Sequence, residues 1–282
     1  MDKPAGISSF SALGTLKKNL GTRKVGHAGT LDPFATGLLL ALSGKLTRSV
    51  SLLSDMDKEY EAVFRFGEET DTLDTEGEVI AEAPVPEYSV IQKSSILFSG
   101  TITQIPPAFS AIKINGKRAY SSARKGLEVE MPERQVQIMG FELLNWNPPD
   151  LSVRINCSKG TYIRSIARDL GLESGSRAFC SSLRRTAIGP FSVDSAVPPD
   201  SIMPKDGLLP VVFFQSIGVS IKVLPSDIAD RLRQGFPVSR LSCPLSSKDR
   251  LTLFTDDNGI PAALMELKKE TLHYSIVFDS VS

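Results

Sequence analysis

The chain has 282 residues, 41% hydrophobic and 23% charged, with 32 basic against 32 acidic side chains and no net charge. That length and balance are ordinary for a soluble globular chain of one large domain, or one large and one small. They exclude a membrane span, since no apolar run is long enough, and the N-terminus lacks the basic-apolar-small series of a secretion signal. Three dispersed cysteines, Cys157, Cys180 and Cys243, cannot form an even disulfide framework and predict reduced, buried thiols in a cytoplasmic protein.

In chain order, Ser8 and Ser9 are good N-caps for a helix over 9–20, with Phe10, Leu13, Leu16 and Leu20 as its apolar side and Gly21 as its stop. The stretch Gly26-His27-Ala28-Gly29-Thr30-Leu31-Asp32-Pro33-Phe34-Ala35-Thr36-Gly37-Leu38-Leu39 comes next. Its glycines permit tight turning and close backbone approach. Pro33 restrains Asp32 to an extended conformation, at the start of what reads as an apolar helix. Taken alone, an Asp-Pro pair is a helix cap or a turn. Tyr60, Ala62, Phe64 and Phe66 alternate with Glu61, Val63 and Arg65 as in a strand. The acidic block 68–78 misses the calcium-loop spacing and reads as a solvated loop.

Residues 103–131 look like an excursion: Pro106-Pro107, then Asn115-Gly116 as a hairpin turn, then a short basic helix from Arg118 to Lys125. A clear strand follows at 151–157, where Leu151, Val153, Ile155 and Cys157 alternate with Ser152, Arg154 and Asn156. After a turn at 158–161 comes a helix with Ile163, Ile166, Ala167 and Leu170 on one side, Arg164 and Arg168 on another, and Gly171 as its end. Prolines around 197–210 suggest a linker, and strand-like runs at 251–254, 262–267 and 274–278 suggest a small β-rich appendage. Strands and helices mix without a βαβ rhythm, which favours α+β.

Charge is unevenly divided. Residues 1–50 hold seven basic against two acidic side chains, residues 51–100 three against twelve, residues 101–135 six against three, and residues 151–190 seven against two. Such blocks are either a positive cleft with a negative back, suited to a phosphate backbone, or merely solvated faces. Many chemistries are missing. Only His27 and His273 occur, and there is no C-x-x-C, so no zinc set forms. Gly44-Lys45 is followed by Leu46 rather than the Ser or Thr of a phosphate loop, and no G-x-G-x-x-G or nucleophile elbow appears. What remains is chemistry needing only carboxylate, tyrosine and arginine.

The string GHAGTLDPFATGLL resembles the catalytic motif of the bacterial tRNA pseudouridine-55 synthases, the TruB family. KPAGISS at 3–9, IPPAFSAIKINGKRAY at 105–120, CSKGTYIRSIARDLG at 157–171 and LRRTAIGPF at 183–191 fall in the family's order, over about residues 1–195. The resemblance implies an α+β pseudouridine-synthase fold: a mixed, mainly antiparallel central sheet flanked by helices. It divides the chain into a catalytic domain at 1–210, with an RNA-gripping insertion near 103–131, and a small β-rich C-terminal domain at 211–282 resembling a reduced PUA domain. The reaction detaches uracil from the ribose of uridine 55 in the tRNA T-loop, turns it and rejoins it through carbon 5, with no cofactor and no metal.

By the same resemblance Asp32 is the essential carboxylate, whether it attacks the sugar, adds to the base or removes a sugar proton. Arg164 pairs with it, keeps it ionised and aims it; without the family, Arg164 reads as a surface helix residue. Tyr60 stacks on the flipped base and moves a proton, though alone it is a core aromatic. His27 fills the position the base vacates, and Tyr162 and Leu183 line the pocket. Lys3, Arg48, Lys113, Lys117, Arg118, Arg184 and Arg185 are candidate phosphate contacts. The partner is the T-arm stem-loop of tRNA, bound by a monomer without guide RNA or membrane. The family usually has a short apolar strand before KPxG; here either that strand is missing or the true start lies upstream. Phe109 stands where a tyrosine is common.

Overall fold

The computed structural model describes residues 1–110, 112–114, 117–120, 130–240 and 249–279, with the backbone alone at 113, 114, 117, 118 and 240. The contacts group into two compact units that interleave along the chain instead of dividing once at residue 210. One comprises 1–12, 29–40 and 53–199, the other 13–28, 41–52 and 200–282.

The first unit is built on an eight-stranded sheet. From one edge the order is Asp2–Lys3, Thr36–Leu38, Ala178–Ile188, Lys58–Phe66, Asp150–Cys157, Arg134–Asn147 and Gly100–Gln104, with Phe191–Ser192 paired onto 178–188. Only the pairing of 36–38 with 178–188 is parallel; the others are antiparallel, so the sheet is mixed as expected. The alternation in 58–66 and 150–157 now has a cause. Tyr60 faces Ile155, Ala62 faces Val153 and Phe64 faces Leu151, all on the buried side. Helix Ile163–Glu173 lays Ile163, Ile166, Ala167 and Leu170 into the same core. Each of the larger ones, the Ile, Leu, Val and Phe side chains, contributes roughly 1.5–3 kcal/mol by leaving water.

Three local expectations change. Helix Ser9–Asn19 starts as read, with the Ser8 hydroxyl accepting from Ser11 N–H at 3.1 Å. Its buried stripe, however, is Ser9, Ala12, Leu13 and Leu16, while Phe10 is 75% exposed. No helix follows Asp32: the chain forms strands Thr36–Leu38 and Leu40–Ser43 and then the 3₁₀ turn Gly44–Ser49. Gly171 does not end its helix, which runs on to Glu173. A Cβ there would lie 2.6 Å from the Ala178 nitrogen, so glycine permits the helix to press on the next strand. The Asn115-Gly116 turn lies outside the described residues, although its flanking strands Lys113–Ile114 and Lys117–Arg118 pair. Of the basic helix expected from Arg118 to Lys125, Arg118 falls in the strand Lys117–Arg118 and residues 121–125 lie outside the described residues.

The second unit contains a four-stranded sheet of Ser220–Val223, Leu251–Thr255, Pro261–Lys268 and Thr271–Val277 in that order. Helix Ser226–Arg233 covers it with Ile228, Ala229 and Leu232, packed with Leu224, Phe254, Ala263 and Met265. The last three strands match the runs read from the sequence. The 220–223 strand and the 226–233 helix were missed because the strand has four residues and the helix is half charged.

Candidate active site

Asp32 lies in a loop fixed from below by the 3–9 segment. The Ser9 hydroxyl donates to the Leu31 carbonyl at 3.0 Å and accepts from the Leu31 N–H at 2.9 Å. Gly6 N–H donates to the Pro33 carbonyl at 2.9 Å. Lys3, expected as a phosphate contact, is instead fully buried. Its ammonium donates to the carbonyls of Pro4, Ile7 and Pro33 at 2.8, 2.8 and 3.2 Å, which uses its three protons. Burial pushes its pKa down to about 8, against the pull of Asp32 and Glu76. Lys3 ties down the loop from inside.

Above that base, the Asp32 side chain stays 35% exposed, open to a bound molecule, with Oδ2 3.0 Å from Arg164 Nε. The contact is an ion pair whose N–H is not aimed for a hydrogen bond. Arg164 is 3% exposed, not the surface residue its helix position suggested. Its Nη1 donates to the Thr72 carbonyl at 2.6 Å and lies 3.1 Å from Asp74 Oδ2, while Nη2 donates to the Phe109 carbonyl at 3.0 Å. Both terminal nitrogens of the planar fork are thus engaged, which fixes its orientation.

Asp74 was not singled out in the sequence, and the reading of 68–78 as a solvated loop is corrected here. Asp74, Glu69 and Thr70 are buried, and Asp74 Oδ1 accepts from Thr72 Oγ1 at 2.6 Å and Glu76 N–H at 2.9 Å. The Asp32 pKa is raised by burial, opposed by the Arg164 charge and reinforced by that of Asp74. Tyr60 is buried on the 58–66 strand, and burial raises its phenol pKa against the Arg185 guanidinium, so it is a neutral donor at pH 7.

The other candidates separate. Leu183 is buried on the 178–188 strand opposite Ala62, on the Tyr60 side of the sheet. Tyr162 is half-buried, two residues before Arg164, with the Arg134 guanidinium 4.9 Å from its ring centre. Arg185 is buried, donating to the carbonyls of Leu38 at 2.7 Å and Gly29 at 3.0 Å, and so is not a surface phosphate contact. Strand alternation turns Arg184 to the opposite face, where it forks onto Asp2 at 3.0 and 2.7 Å. His27, half-buried on strand Val25–Ala28, and Arg48, exposed with Nη1 3.4 Å from the Ser275 carbonyl, belong to the second unit. The side chains of Lys113, Lys117 and Arg118 lie outside the described residues. Cys157 and Cys180 are buried, and burial pushes the Cys157 thiol up to about 12; Cys243 lies outside the described residues. Among the described residues no three His, Cys, Asp or Glu side chains group so as to hold a metal ion, and no helix is long and apolar enough to cross a membrane.

This architecture is that of the pseudouridine synthases. The crystal structure of a Cbf5-Nop10-Gar1 complex superimposes with a TM-score of 0.62 at 24% identity, covering 99% of this chain and 82% of that one. An H/ACA RNP bound to a substrate RNA containing 2′-deoxyuridine gives 0.63 at 23%, covering 99% and 83%. In sequence, residues 17–163 match the TruB family pseudouridylate synthase N-terminal domain. The tRNA pseudouridine synthase B of Bordetella avium (strain 197N) is 44% identical over 218 residues, 74% of this chain and 89% of the relative. That of Chlamydia felis (strain Fe/C-56) is 46% identical over 199 residues, 70% and 84%. The chain belongs to the TruB family of pseudouridylate synthases.

Proposed function

We propose that this protein converts uridine 55 in the T-loop of tRNA to pseudouridine, working in the cytoplasm as a monomer on the T-arm stem-loop, without guide RNA. The observation that carries the reading is the half-open Asp32 carboxylate paired with the buried Arg164, whose two terminal nitrogens are held by Thr72, Asp74 and Phe109. Breaking the C–N bond, turning uracil and forming a C–C bond is an isomerisation, so no electron or group leaves the system. A single ionised acid beside the ribose serves any of the three routes open to Asp32. Arg164 holds that acid ionised against the burial that raises its pKa. Tyr60, kept protonated by burial, stacks on the flipped base and moves a proton, carbon 5 losing one as N1 gains one. Tyr162 and Leu183 line the pocket, His27 occupies the space the base leaves, and Lys113 and Arg48 meet phosphates. The β-rich sheet of the second unit is assigned a PUA-like role in gripping RNA.

The test is pseudouridine mapping on an unmodified tRNA transcript incubated with the purified protein and nothing else. Wild type is expected to modify position 55. Asp32→Asn is expected to bind the RNA but lose at least about 100-fold in rate. No product without an added guide, or near-normal turnover by the variant, overturns the reading.

A further inference from the structure

Gln104 ends the strand Gly100–Gln104 and is 1% exposed. A buried carboxamide must satisfy both its oxygen and its NH₂ group. Here both go to one residue: Nε2 donates to the Tyr162 carbonyl at 3.0 Å, and Tyr162 N–H donates to Oε1 at 2.8 Å. Tyr162 is the extended residue immediately before helix Ile163–Glu173, and its side chain does not cap that helix. The clasp therefore fixes where the helix begins, and Arg164 is the helix's second residue. The segment after Gln104 reinforces the hold. Ser165 Oγ and Arg168 Nη2 each donate to the Ile105 carbonyl at 2.9 Å, and Arg164 Nη2 reaches Phe109. Arg134, directly across the strand pair from Gln104, faces the Tyr162 ring and donates to the Gly160 carbonyl at 3.1 Å.

We infer that Gln104 is a positioning residue: it holds Tyr162 by its backbone and, through the start of the helix, sets Arg164 against Asp32. It touches neither base nor sugar. Packing alone would be served by an apolar side chain at this buried strand end; the amide answers a backbone that is gripped at both N–H and C=O. The inference rests on the function proposed above.

The experiment compares Gln104→Leu and Gln104→Glu with wild type on the tRNA transcript, recording kcat, KM and thermal melting over roughly pH 5.5–8.5. Misplacing a catalytic group by about 1 Å can cost about 100-fold. Gln104→Leu is therefore expected to lose about 10- to 100-fold in kcat, with any change in KM, through the held Tyr162, smaller than that. The glutamate variant separates positioning from general stability. A neutral carboxylic acid offers the same donor and acceptor as the amide, whereas its anion only accepts and would face the Tyr162 carbonyl. The neighbouring cations are engaged, Arg134 on Gly160 and the Tyr162 ring and Arg168 on Asp169 and Ile105. The ratio of Gln104→Glu to wild-type kcat should climb as pH falls, cancelling the protonation of Asp32 common to both. A Leu variant with wild-type kcat, a loss confined to KM, or a pH-independent Glu ratio overturns the inference. Should Gln104→Leu not fold, the glutamate ratio decides alone. Failure of the functional reading looks different, since wild type itself would then make no pseudouridine.

Discussion

Burial pushes the Asp32 carboxyl toward its neutral form; the charges of Arg164 and Lys3 resist, and that of Asp74 adds to the push. The net direction is upward, so the folded chain holds this proton more tightly than the unfolded chain does. Ionised Asp32 therefore subtracts from stability, by an amount that grows as pH climbs past the unfolded value of 3.8 and is complete above the folded value. Asp32→Asn, permanently neutral, should melt above wild type near pH 7, and the gap should close as pH falls toward about 4. The acid limb of wild-type kcat should lie above the ordinary carboxylate range. A variant that melts lower at neutral pH would show that the Arg164 pairing outweighs burial. Asp32 was legible because its motif is long and ordered. Asp74 was not, since its acidic neighbours signal solvent and the cation that pairs with it, Arg164, comes from a helix far along the chain. Lys3 was misread for a related reason: nothing in KPAGISS distinguishes a lysine facing phosphate from one facing carbonyls.

Elements were readable where one periodicity governed them. Strands 58–66 and 150–157 alternate because one face is core, and the structure follows the pattern through Cys157. Helix 163–173 shows the limit: its apolar stripe was right, yet Arg164 is as buried as the residues beside it, because a tertiary ion pair overrides amphipathic spacing. Glycines carried two meanings that local reading could not separate. Gly37, in the stretch 26–39, pairs with Arg185 where strand 36–38 runs parallel to 178–188, at φ +101, and a Cβ would stand 2.3 Å from the Arg185 carbonyl oxygen. Gly37→Ala would have to break that pairing, and should cost at least about 3 kcal/mol in urea unfolding. A loss below about 1 kcal/mol would mean that the 36–38 strand can shift without penalty.

Across the molecule, net neutrality conceals an uneven division between the two units: the first holds 17 basic against 22 acidic side chains, the second 15 against 10. The α+β class was legible, since helices and strands alternate irregularly; the interleaving of the units was not, because 13–28 and 41–52 join the second unit through contacts distant in sequence. Those two segments carry Lys17, Lys18, Arg23, Lys24, Lys45 and Arg48 and no acidic residue. Lys18, Arg23 and Lys24 are exposed, whereas Arg184 is forked onto Asp2 and Arg185 is buried. Each phosphate neutralised contributes about 0.7–0.9 to the slope of log affinity against log salt concentration. Replacing Lys18, Arg23 and Lys24 together by serine should therefore flatten that slope by about 2–3 for a T-arm RNA, measured by fluorescence anisotropy across a salt series. Arg184→Ala should leave it unchanged, since its charge is already matched by a carboxylate within the protein. The reverse result, a slope carried by Arg184 and indifferent to the triple substitution, would put the phosphate backbone on the sheet face of the first unit.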